Sequence, residues 1–458
     1  MARPRPLSGY PELGPAERIV EQRVLDTLRG VFELHGFTGI ETRAVEPLAQ
    51  LLRKGEIDKE VYVVRRLHED PRAGGVPAAE EDGAAAAADV LALHFDLTVP
   101  FARYVVENAG TLQFPFKRYQ LQKVWRGERP QEGRYREFLQ ADIDVVGRDV
   151  LPSHYEAEMA AVMSEALTAL PLPALRMQVN NRKLIEGFYR GVGAGDTAAV
   201  MRAVDKLDKV GPDGVRAELT AAASLTDEQA GACLALAGLS GSDPSVLDRV
   251  RALGVSDPLL EEGIADLGAV LEATASLTSE RFWVVADLSV ARGLDYYTGT
   301  VYETRMSGFE SLGSICSGGR YDALASDGRS TFPGVGISFG VTRALVPLLG
   351  RGLLRASRST PTCVLVALVD EEGRAAARRT AAALRARGIA AEVHPDAARF
   401  GKQIRFAERR GIPFVWFPGA ADGGGDQVRD IRSGEQVDAA ADAWAPPAED
   451  LRPQVLTG

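Results

Sequence analysis

Residues 116–147 read FKRYQLQKVWRGERPQEGRYREFLQADIDVVG, and they contain two runs of strand-forming residues joined by a short charged loop. The runs are FKRYQLQKVWRGE (116–128) and REFLQADIDVVG (136–147), and the loop is RPQEGRY. Two strands that follow each other this closely pair in antiparallel fashion, because parallel neighbours need a long crossover connection. The stretch therefore predicts a strand–loop–strand hairpin within an antiparallel sheet.

The chain on either side of this hairpin alternates between strand and helix patterns. Apolar residues recur at helical spacing from Glu17 to Leu34, and Gly36 ends that helix. Strands are predicted over 39–47 (GIETRAVEP, stopped before Pro47), 61–67, 89–97, 175–180, 282–290 and from 334, and helices over 154–170 and up to 349. Strands that come in sequential pairs are typical of an antiparallel sheet with helices around it, so the main body is predicted to have an α+β fold.

The composition divides the chain into three parts. From about 182 to 278, Ala, Leu, Asp and Gly recur at helical spacing, which predicts a helical insertion within a main body covering residues 1–350. Residues 351–361 are interpreted as a linker, and 362–458 follow a β-α-β-α-β order that predicts a separate domain with a small mixed sheet. The low-complexity segment 70–88 is interpreted as a flexible hairpin tip, with a docking loop as the alternative.

The totals exclude several classes of protein. A length of 458 residues predicts two to four domains, and a net charge of -10 argues against a uniformly basic surface. Cys233, Cys316 and Cys363 are far apart and form no CxxC, so neither a disulfide framework nor a thiolate zinc site is expected. No apolar run reaches the roughly 18 residues that cross a bilayer. We therefore expect a cytoplasmic protein with no membrane segment.

Polar residues cluster on the predicted strands. Asp96 and Thr98 are two residues apart, which on a strand places both side chains on one face, where they could share a cation such as an α-ammonium group. The alternative is an ordinary solvent-facing pair. In the hairpin, Gln140, Asp142 and Asp144 alternate along one face. The loop before them is dense in arginine, which favours a phosphate ligand because the guanidinium fork matches phosphate oxygens. The alternative is a solvated charged hairpin.

A second cluster lies in RGLDYYTGTVYE (292–303), which places Arg292, Asp295, Tyr296 and Tyr297 beside a tight turn. Tyrosine offers an apolar ring and a hydroxyl donor, which suits a pocket for a small aromatic or heterocyclic ligand. Surface tyrosines would explain the rings but not the adjacent Arg and Asp. Further along, glycines are predicted to keep strands bare enough for a flat ring to approach, namely Gly318, Gly319, Gly334, Gly336 and Gly340.

With these motifs the chain resembles the histidyl-tRNA synthetases, a family of class II aminoacyl-tRNA synthetases. RGLDYYTGTVYE and GGRYD are similar to the family's histidine motifs, and 125–147 resembles the second class II motif. PGVGISFGVTRAL resembles the third motif, and the helix and strand ending at Pro47 resemble the first, which implies a homodimer. The resemblance covers nearly the whole chain. It implies an antiparallel class II sheet flanked by helices and a C-terminal anticodon-binding domain.

The resemblance also implies an activity and its substrates. The chain is expected to activate histidine with ATP, with Mg²⁺ on the ATP phosphates, and to transfer histidine to tRNA(His). The resemblance assigns catalytic roles at the α-phosphate to Arg126 and Arg292. It assigns histidine to Asp96, Thr98, Gln140, Asp144, Tyr296, Tyr297 and Tyr321, and ATP to Arg126, Glu128, Arg134, Phe138, Arg292 and Arg343. Arg129, Gln131 and Arg134 are candidates for contact with ATP or the tRNA acceptor end.

Some features depart from the family pattern. The third motif usually has Glu before its arginine, and here the residue is Thr342, which puts the local support of Arg343 in question. Asp96 and Asp144 stand where some relatives carry glutamate. Two alternatives differ in class, namely a non-catalytic histidine-sensing paralogue that regulates histidine biosynthesis and an RNA-binding module with a vestigial pocket. Residues 373–410 carry ten basic and three acidic residues, so two helices there could form a positive face for tRNA.

Overall fold

A computed structural model describes residues 5–52, 61–67, 90–290, 296–419 and 425–458. The low-complexity segment 70–88, Arg292 and Asp295 lie outside these described residues. The chain divides into two compact units, one formed by 1–11 and 25–347 and the other by 12–24 and 348–458. Of the helices in the described part of the chain, none is long and apolar enough to cross a membrane.

The helices and strands are numbered in chain order over the described residues. The helices are α1 (Pro15–Leu34), α2 (Leu48–Leu51), α3 (Thr98–Asn108), α4 (His154–Thr168), α5 (Arg182–Gly191), α6 (Thr197–Val204), α7 (Leu207–Ala221), α8 (Asp227–Ala237), α9 (Ser245–Arg251), α10 (Pro258–Thr274), α11 (Val341–Gly350), α12 (Arg374–Ala386) and α13 (Phe400–Arg410). The strands of the larger unit are β1 (Thr38–Gly39), β2 (Val45–Pro47), β3 (Val63–Val64), β4 (Leu91–Leu93), β5 (Phe116–Trp125), β6 (Glu137–Val146), β7 (Leu175–Asn181), β8 (Ser240–Gly241), β9 (Phe282–Asp287), β10 (Thr300–Met306), β11 (Cys316–Tyr321) and β12 (Gly334–Gly340). The remaining strands are β13 (Leu354–Ala356), β14 (Val364–Val366), β15 (Ala391–Val393), β16 (Phe414–Phe417), β17 (Gln427–Asp430), β18 (Gln436–Asp438) and β19 (Val455–Thr457).

The larger unit is built on one broad sheet. Its strand order, among the described residues, is β1-β5-β6-β12-β11-β10-β7-β9-β8. All neighbours pair antiparallel except β1 with β5 and β7 with β9. A smaller antiparallel sheet has the order β2-β4-β3. The predicted α+β architecture with an antiparallel sheet is therefore confirmed.

The predicted hairpin forms the second and third strands of this sheet. β5 and β6 pair from Phe116 opposite Val146 to Trp125 opposite Glu137. On β6 the apolar residues Ala141, Ile143 and Val145 are fully buried, and α4 packs against this strand. Because side chains alternate between the faces of a strand, the polar residues between them point to the opposite face. That opposite face carries the candidate site.

Two local predictions near the N-terminus were wrong. The single strand predicted over 39–47 is two strands, β1 and β2, which belong to different sheets. The strand predicted over 89–97 ends at Leu93, and Thr98 begins α3, so Asp96 and Thr98 do not share a strand face. Asp96 instead accepts a hydrogen bond from the Val99 amide at 3.1 Å. The first amides of a helix have no hydrogen-bond acceptor within the helix, and here the Asp96 carboxylate is the acceptor for one of them.

Helices α5 to α10 occupy the range predicted as a helical insertion, together with the short strand β8 at the sheet edge. α5 and α10 pack closely because each helix has a glycine that lies against the backbone of the other helix. A methyl group on Gly187 would lie 2.2 Å from the Leu260 amide nitrogen, and one on Gly263 would lie 2.1 Å from that of Leu184. Four of these six helices, α5, α6, α8 and α10, begin with a side-chain cap, as at Thr226, where a capping box with Gln229 begins α8.

The smaller unit confirms the predicted β-α-β-α-β order. β14, α12, β15, α13 and β16 follow one another, and β14 pairs parallel with both β15 and β16. β17 and β18 extend the sheet in antiparallel fashion. Trp416 on β16 is fully buried in the core beneath α12. Residues 351–361, expected to be a linker, include β13, which pairs with β19 near the end of the chain.

Candidate active site

A row of polar side chains crosses four strands of the large sheet. In the strand register Asp142 on β6 lies opposite Ser338 on β12, Ser338 opposite Ser317 on β11, and Ser317 opposite Glu303 on β10. Two adjoining pockets share Ser317 and Ser338. The inner pocket is lined by Thr98, Asp142, Asp144, Tyr296, Tyr297, Ser317, Gly318, Tyr321, Gly336, Ile337 and Ser338. The outer pocket is lined by Arg126, Glu128, Gly133, Arg134, Tyr135, Phe138, Gln140, Ser314, Ile315, Ser317, Ser338, Gly340 and Arg343.

The inner pocket is organised around the buried carboxylate of Asp144. Arg118 forms an ion pair with it, with Nη2 2.6 Å from Oδ2, and the Tyr321 hydroxyl donates to Oδ1 at 2.7 Å. Arg118 also donates to Gln120 and to the Leu97 carbonyl, and its guanidinium lies over the ring of Phe101. A buried carboxylate held on both oxygens has a fixed position, and carboxylate oxygens are hydrogen-bond acceptors for a ligand that carries a proton.

The glycines of β12 give this carboxylate its space. A methyl group on Gly336 would lie 2.0 Å from Asp144 Oδ1, and one on Gly334 would lie 2.5 Å from the Tyr321 ring. The prediction of a bare face for a ligand ring was therefore wrong at Gly334, where the Tyr321 ring fills the space, whereas Gly336 lines the inner pocket beside the Asp144 carboxylate. Gly340 does line the outer pocket.

We expect Gly336→Ala to displace Asp144 and to weaken ligand binding in the inner pocket at least about 10-fold, because overpacking at a fixed backbone costs about 1–3 kcal/mol. Steady-state kinetics with a varied concentration of the substrate that this pocket binds would measure it. Gly110→Ala is the matched control, since a methyl group there meets no atom within 4 Å. Equal kinetics for the two variants would contradict the role assigned to this glycine.

Tyr296 and Tyr297 line the inner pocket together with Asp144. Burial raises the pKa of both phenols, and the negative charges of Asp96 and Asp144 raise it further, so both hydroxyls stay protonated. Their rings are 5.0 Å apart in an edge-to-face arrangement, and the Tyr296 ring stacks 6.0 Å from that of Tyr321. The Tyr297 ring also covers Gly319. These phenols form an aromatic wall with polar ends beside an acceptor.

Between the pockets, three side chains form a hydrogen-bonded chain. Gln140 Nε2 donates to Ser338 Oγ at 2.5 Å, and Ser338 donates to Asp142 Oδ1 at 2.5 Å. Burial raises the pKa of Asp142 to about 7, and this outweighs the lowering by Arg118 and by the hydrogen bond from Ser338. The other amide atom, Gln140 Oε1, is buried and has no hydrogen-bond partner among the described residues. This corner offers acceptors to a cation.

The outer pocket gathers positive charge. Arg126, Arg134 and Arg343 all line it. The pKa of Arg343 is lowered by burial first and then by the positive charges of Arg134 and Arg126. The Arg126 guanidinium lies 5.1 Å from the centre of the Phe138 ring, and its Nε donates to the Phe95 carbonyl at 2.9 Å. Glu128 contacts Arg134 at 3.1 Å. Three guanidinium groups that repel each other favour a polyanionic ligand.

Backbone carbonyls hold Arg343 in place. Its Nε donates to the Gly133 carbonyl at 2.7 Å and its Nη1 to the Ser314 carbonyl at 2.6 Å. Thr342, which replaces the usual glutamate, accepts a hydrogen bond from the Leu139 amide at 2.8 Å instead. Arg343 therefore has local support without an acidic neighbour before it.

Most of the residues predicted for the site come together, with some exceptions. Asp96 is buried and its charge acts on Tyr296 and Tyr297, but its Oδ1 serves the start of α3. Arg129 and Gln131 are exposed on the hairpin loop and are not among the lining residues of either pocket. Arg292, predicted to be catalytic, lies outside the described residues.

Sequence reasoning assigned no role to several residues that complete the site, namely Arg118, Asp142, Ser317 and Ser338. The pairing of the hairpin could have indicated Arg118, which lies directly opposite Asp144. Asp142 was noticed in the alternating pattern, but burial gives it its unusual pKa, and burial cannot be read from spacing. Within the described ranges, no group of three or more His, Cys, Asp or Glu could hold a metal ion.

Comparisons with known proteins agree on one family. Residues 83–344 match the family model of histidyl-tRNA synthetase, and residues 362–445 match that of an anticodon-binding domain. The chain is 57% identical to a histidine–tRNA ligase of Cutibacterium acnes over 100% of this chain and 99% of that protein. It is 60% identical to one from Micrococcus luteus, with 99% of each covered.

Solved structures give the same result. The crystal structure of a histidyl-tRNA synthetase from Nostoc sp. PCC 7120 matches with a TM-score of 0.83 and 35% identity, covering 96% of this chain and 98% of that one. A Bacillus halodurans protein described as an ATP phosphoribosyltransferase regulatory subunit/histidyl-tRNA synthetase matches with a TM-score of 0.70 at 20% identity, covering 88% and 96%. At that identity the likeness concerns the fold alone.

Proposed function

Since the chain belongs to the histidyl-tRNA synthetase family, we propose that it is a histidine–tRNA ligase that works as a homodimer in the cytoplasm. It first joins histidine to AMP with release of pyrophosphate, and it then transfers histidine to the terminal ribose of tRNA(His). The observation that carries this proposal is the buried Asp144–Tyr321 acceptor site directly beside a pocket with three arginines. One pocket suits an imidazole and the other suits a triphosphate.

The imidazole of histidine would lie in the inner pocket. One ring nitrogen would donate to Asp144, and the Tyr297 hydroxyl would contact the other, with Tyr296 and Tyr321 forming the aromatic wall. An apolar amino acid of similar size would leave these buried polar groups without partners. Such a site rejects a substrate lacking the polar group by about 10⁴–10⁵-fold.

The α-ammonium group would lie where the two pockets meet. Thr98, Asp142 and the carbonyl oxygen of Gln140 offer acceptors there, and Asp96 adds negative charge from behind. This arrangement would direct the α-carboxylate of histidine toward the outer pocket. A reactive group held in this way gains much of its rate from orientation alone.

ATP would occupy the outer pocket, with its adenine between Phe138 and Glu128. Arg126 and, from the sequence, Arg292 would contact the α-phosphate, while Arg134 and Arg343 would hold the rest of the triphosphate. The histidine carboxylate attacks the α-phosphorus and pyrophosphate leaves, so no protein nucleophile is needed. The guanidinium groups stabilise the negative charge that builds up in the pentavalent transition state. Mg²⁺ takes oxygen ligands, and when it is bound to the ATP phosphates it would neutralise part of their charge.

The smaller unit is proposed to bind the anticodon arm of the tRNA. It matches an anticodon-binding domain, and its helices α12 and α13 carry eight of the ten basic residues counted above. Phosphate contacts of this kind weaken as salt increases.

A regulatory, histidine-sensing paralogue remains the competing function, and the outer pocket argues against it. A sensor has no need of three arginines converging beside the amino-acid site. Charging of tRNA with labelled histidine would test the proposal. Histidine-specific, ATP-dependent labelling of tRNA supports it, whereas histidine binding with no labelling would indicate a sensor.

The pH dependence of the KM for histidine should report the ionisation of Asp142. Its pKa is raised to about 7, so the carboxylate is mostly neutral at about pH 6 and mostly charged at about pH 8. Because only the charged form attracts the α-ammonium group, we expect the KM for histidine to fall roughly tenfold over this range through this residue.

Free histidine also titrates near pH 6.5, so the comparison must be made with Asp142→Asn. The ratio of the KM of Asp142→Asn to that of the wild type should rise roughly tenfold from about pH 6 to about pH 8. Parallel profiles for the two proteins would remove Asp142 from histidine binding.

A further inference from the structure

The active-site face of the large sheet continues past the two pockets to a separate cavity. Glu303 lies opposite Ser317 on one side and opposite Gln178 on β7 on the other. Around Gln178 lies a cavity of about 420 Å³, within the range of roughly 300–1,000 Å³ that is typical of small-ligand sites. It is lined by Arg176, Gln178, Asp208, Trp283, Asp287, Ser289, Arg305, Met306, Ser307 and Glu310. The activation of histidine described above does not use it.

The charges of this cavity argue against a phosphate. Arg176 and Arg305 are outnumbered by Asp208, Asp287 and Glu310. Asp287 already accepts hydrogen bonds on both oxygens, from Arg176 and Gln178 on one and from Ser289 on the other. Its negative charge is therefore only partly offset, and a neutral ligand with polar edges fits better than an anion.

Two side chains at the cavity, Gln178 and Arg305, each carry a buried polar atom that the described part of the chain leaves without a hydrogen-bond partner. Gln178 is 7% exposed, and its Nε2 donates to Asp287 at 2.6 Å, which fixes the orientation of the amide and directs Oε1 away from that carboxylate. Gln178 Oε1 and Arg305 Nε are buried and have no hydrogen-bond partner among the described residues. One is an acceptor and the other a donor, and a buried polar atom without a partner costs about 1–3 kcal/mol. A ligand that supplies both partners would offset this cost.

Adenine presents this combination of groups. Its amino group donates and the adjacent ring nitrogen accepts. The indole of Trp283 lines the same cavity and offers a face on which a base can stack. Side-chain adjustments of the kind common on binding would bring Gln178 and Arg305 to the two positions.

We propose that this cavity receives the terminal adenine of the tRNA during transfer. The inference rests on the proposed function, because the second step brings the terminal ribose of the tRNA to the activated carboxyl group. Strand β10, which carries Arg305 of this cavity, pairs with β11, which carries Ser317 of both pockets, and we infer from this adjacency that one nucleoside can reach both places. Arg305 follows Thr304, whose carbonyl accepts from the amide of Ile315, a residue of the outer pocket. Neighbouring strands are about 4.8 Å apart.

The test separates the two steps of the reaction. Single-turnover transfer of histidine would be measured with tRNA ending in adenosine and with tRNA ending in purine riboside, which lacks the amino group. We expect the transfer rate of the wild type to fall about 10-fold with the purine-ended tRNA. The transfer rate of Gln178→Met should fall about 10-fold with normal tRNA. Combining the two changes should cost no more than either alone, because both remove the same hydrogen bond.

The variants need a matched control. Arg305→Lys keeps the charge but removes the Nε donor, so it should also slow transfer. Arg281→Lys is its control, since that guanidinium donates to the carbonyls of Leu170 and Leu172 and does not line the cavity. Pyrophosphate exchange does not involve tRNA and reports whether each variant is folded.

Each outcome has one meaning. Full-rate transfer by the wild type to purine-ended tRNA would overturn the proposal whatever the variants do. Losses that multiply in the combined experiment would also overturn it, because Gln178 would then act elsewhere. A response to added free adenosine, with no response to the tRNA end, would assign the cavity to a small nucleoside and reject the tRNA. No histidine-dependent exchange by the wild type would instead show that the proposed function itself is wrong.

Discussion

Replacing Arg126 by alanine is expected to lower kcat for histidine-dependent ATP–pyrophosphate exchange by about 10²–10³-fold, the range measured when one stabilising donor is removed from a reaction centre. Arg126 comes directly after β5, and its position is fixed by the Phe95 carbonyl and the Phe138 ring. Alanine would therefore remove a guanidinium group that is already in place before ATP binds. The KM for histidine should change much less, because Arg126 lines only the outer pocket.

Arg126→Lys is the informative control for this result. Lysine keeps the positive charge but loses the planar fork that matches two phosphate oxygens, so an intermediate loss is expected. Retention of the wild-type kcat by Arg126→Ala would contradict the role of the outer pocket in stabilising the transition state.

Asp144→Ala should have the second large effect, on stability as well as on activity. The change leaves the Arg118 guanidinium fully buried without its carboxylate. Removing one partner of a buried ion pair costs about 3–5 kcal/mol in the free energy of unfolding. Exchange with histidine should fall below detection, because the imidazole loses its acceptor. Thermal melting and exchange assays would measure the two effects.

Two milder changes distinguish stability from recognition. Tyr321→Phe removes the hydroxyl that donates to Asp144 and keeps the ion pair with Arg118. It should cost about 1 kcal/mol of stability and raise the KM for histidine. Asp144→Asn keeps the volume of the side chain and removes its charge. If Asp144→Ala melted at the wild-type temperature, the proposed energetic role of the Arg118–Asp144 pair would be wrong.

The sequence predicted the sheet well where alternation was strong. The β5–β6 hairpin could be read directly, since polar and apolar residues alternate from Gln140 to Val145 and a charged loop precedes them. The order of the smaller unit was also readable, because its helices and strands are short and clearly bounded. The spacing of residues in the sequence could not identify the hydrogen-bond and ion-pair partner of each polar side chain. Arg118, which pairs with Asp144, is an example.

The failures near Asp96 have a common physical cause. A polar pair two residues apart looks the same on a strand and at the start of a helix, and the choice depends on where the backbone finds hydrogen bonds. Here the Val99 amide donates a hydrogen bond to the Asp96 carboxylate, and the segment begins a helix. The support of Arg343 could not be predicted from Thr342 for a similar reason. Arg343 is held by the backbone carbonyls of Gly133 and Ser314, and any residue type can provide a backbone carbonyl.

We propose that this site activates histidine and no other amino acid. ATP–pyrophosphate exchange with each of the twenty amino acids tests it most directly, because the reaction requires both pockets and no tRNA. We expect exchange with histidine alone, with the rates for other amino acids lower by at least about 10⁴-fold. Exchange with a different amino acid, or histidine binding with no exchange at all, would contradict it.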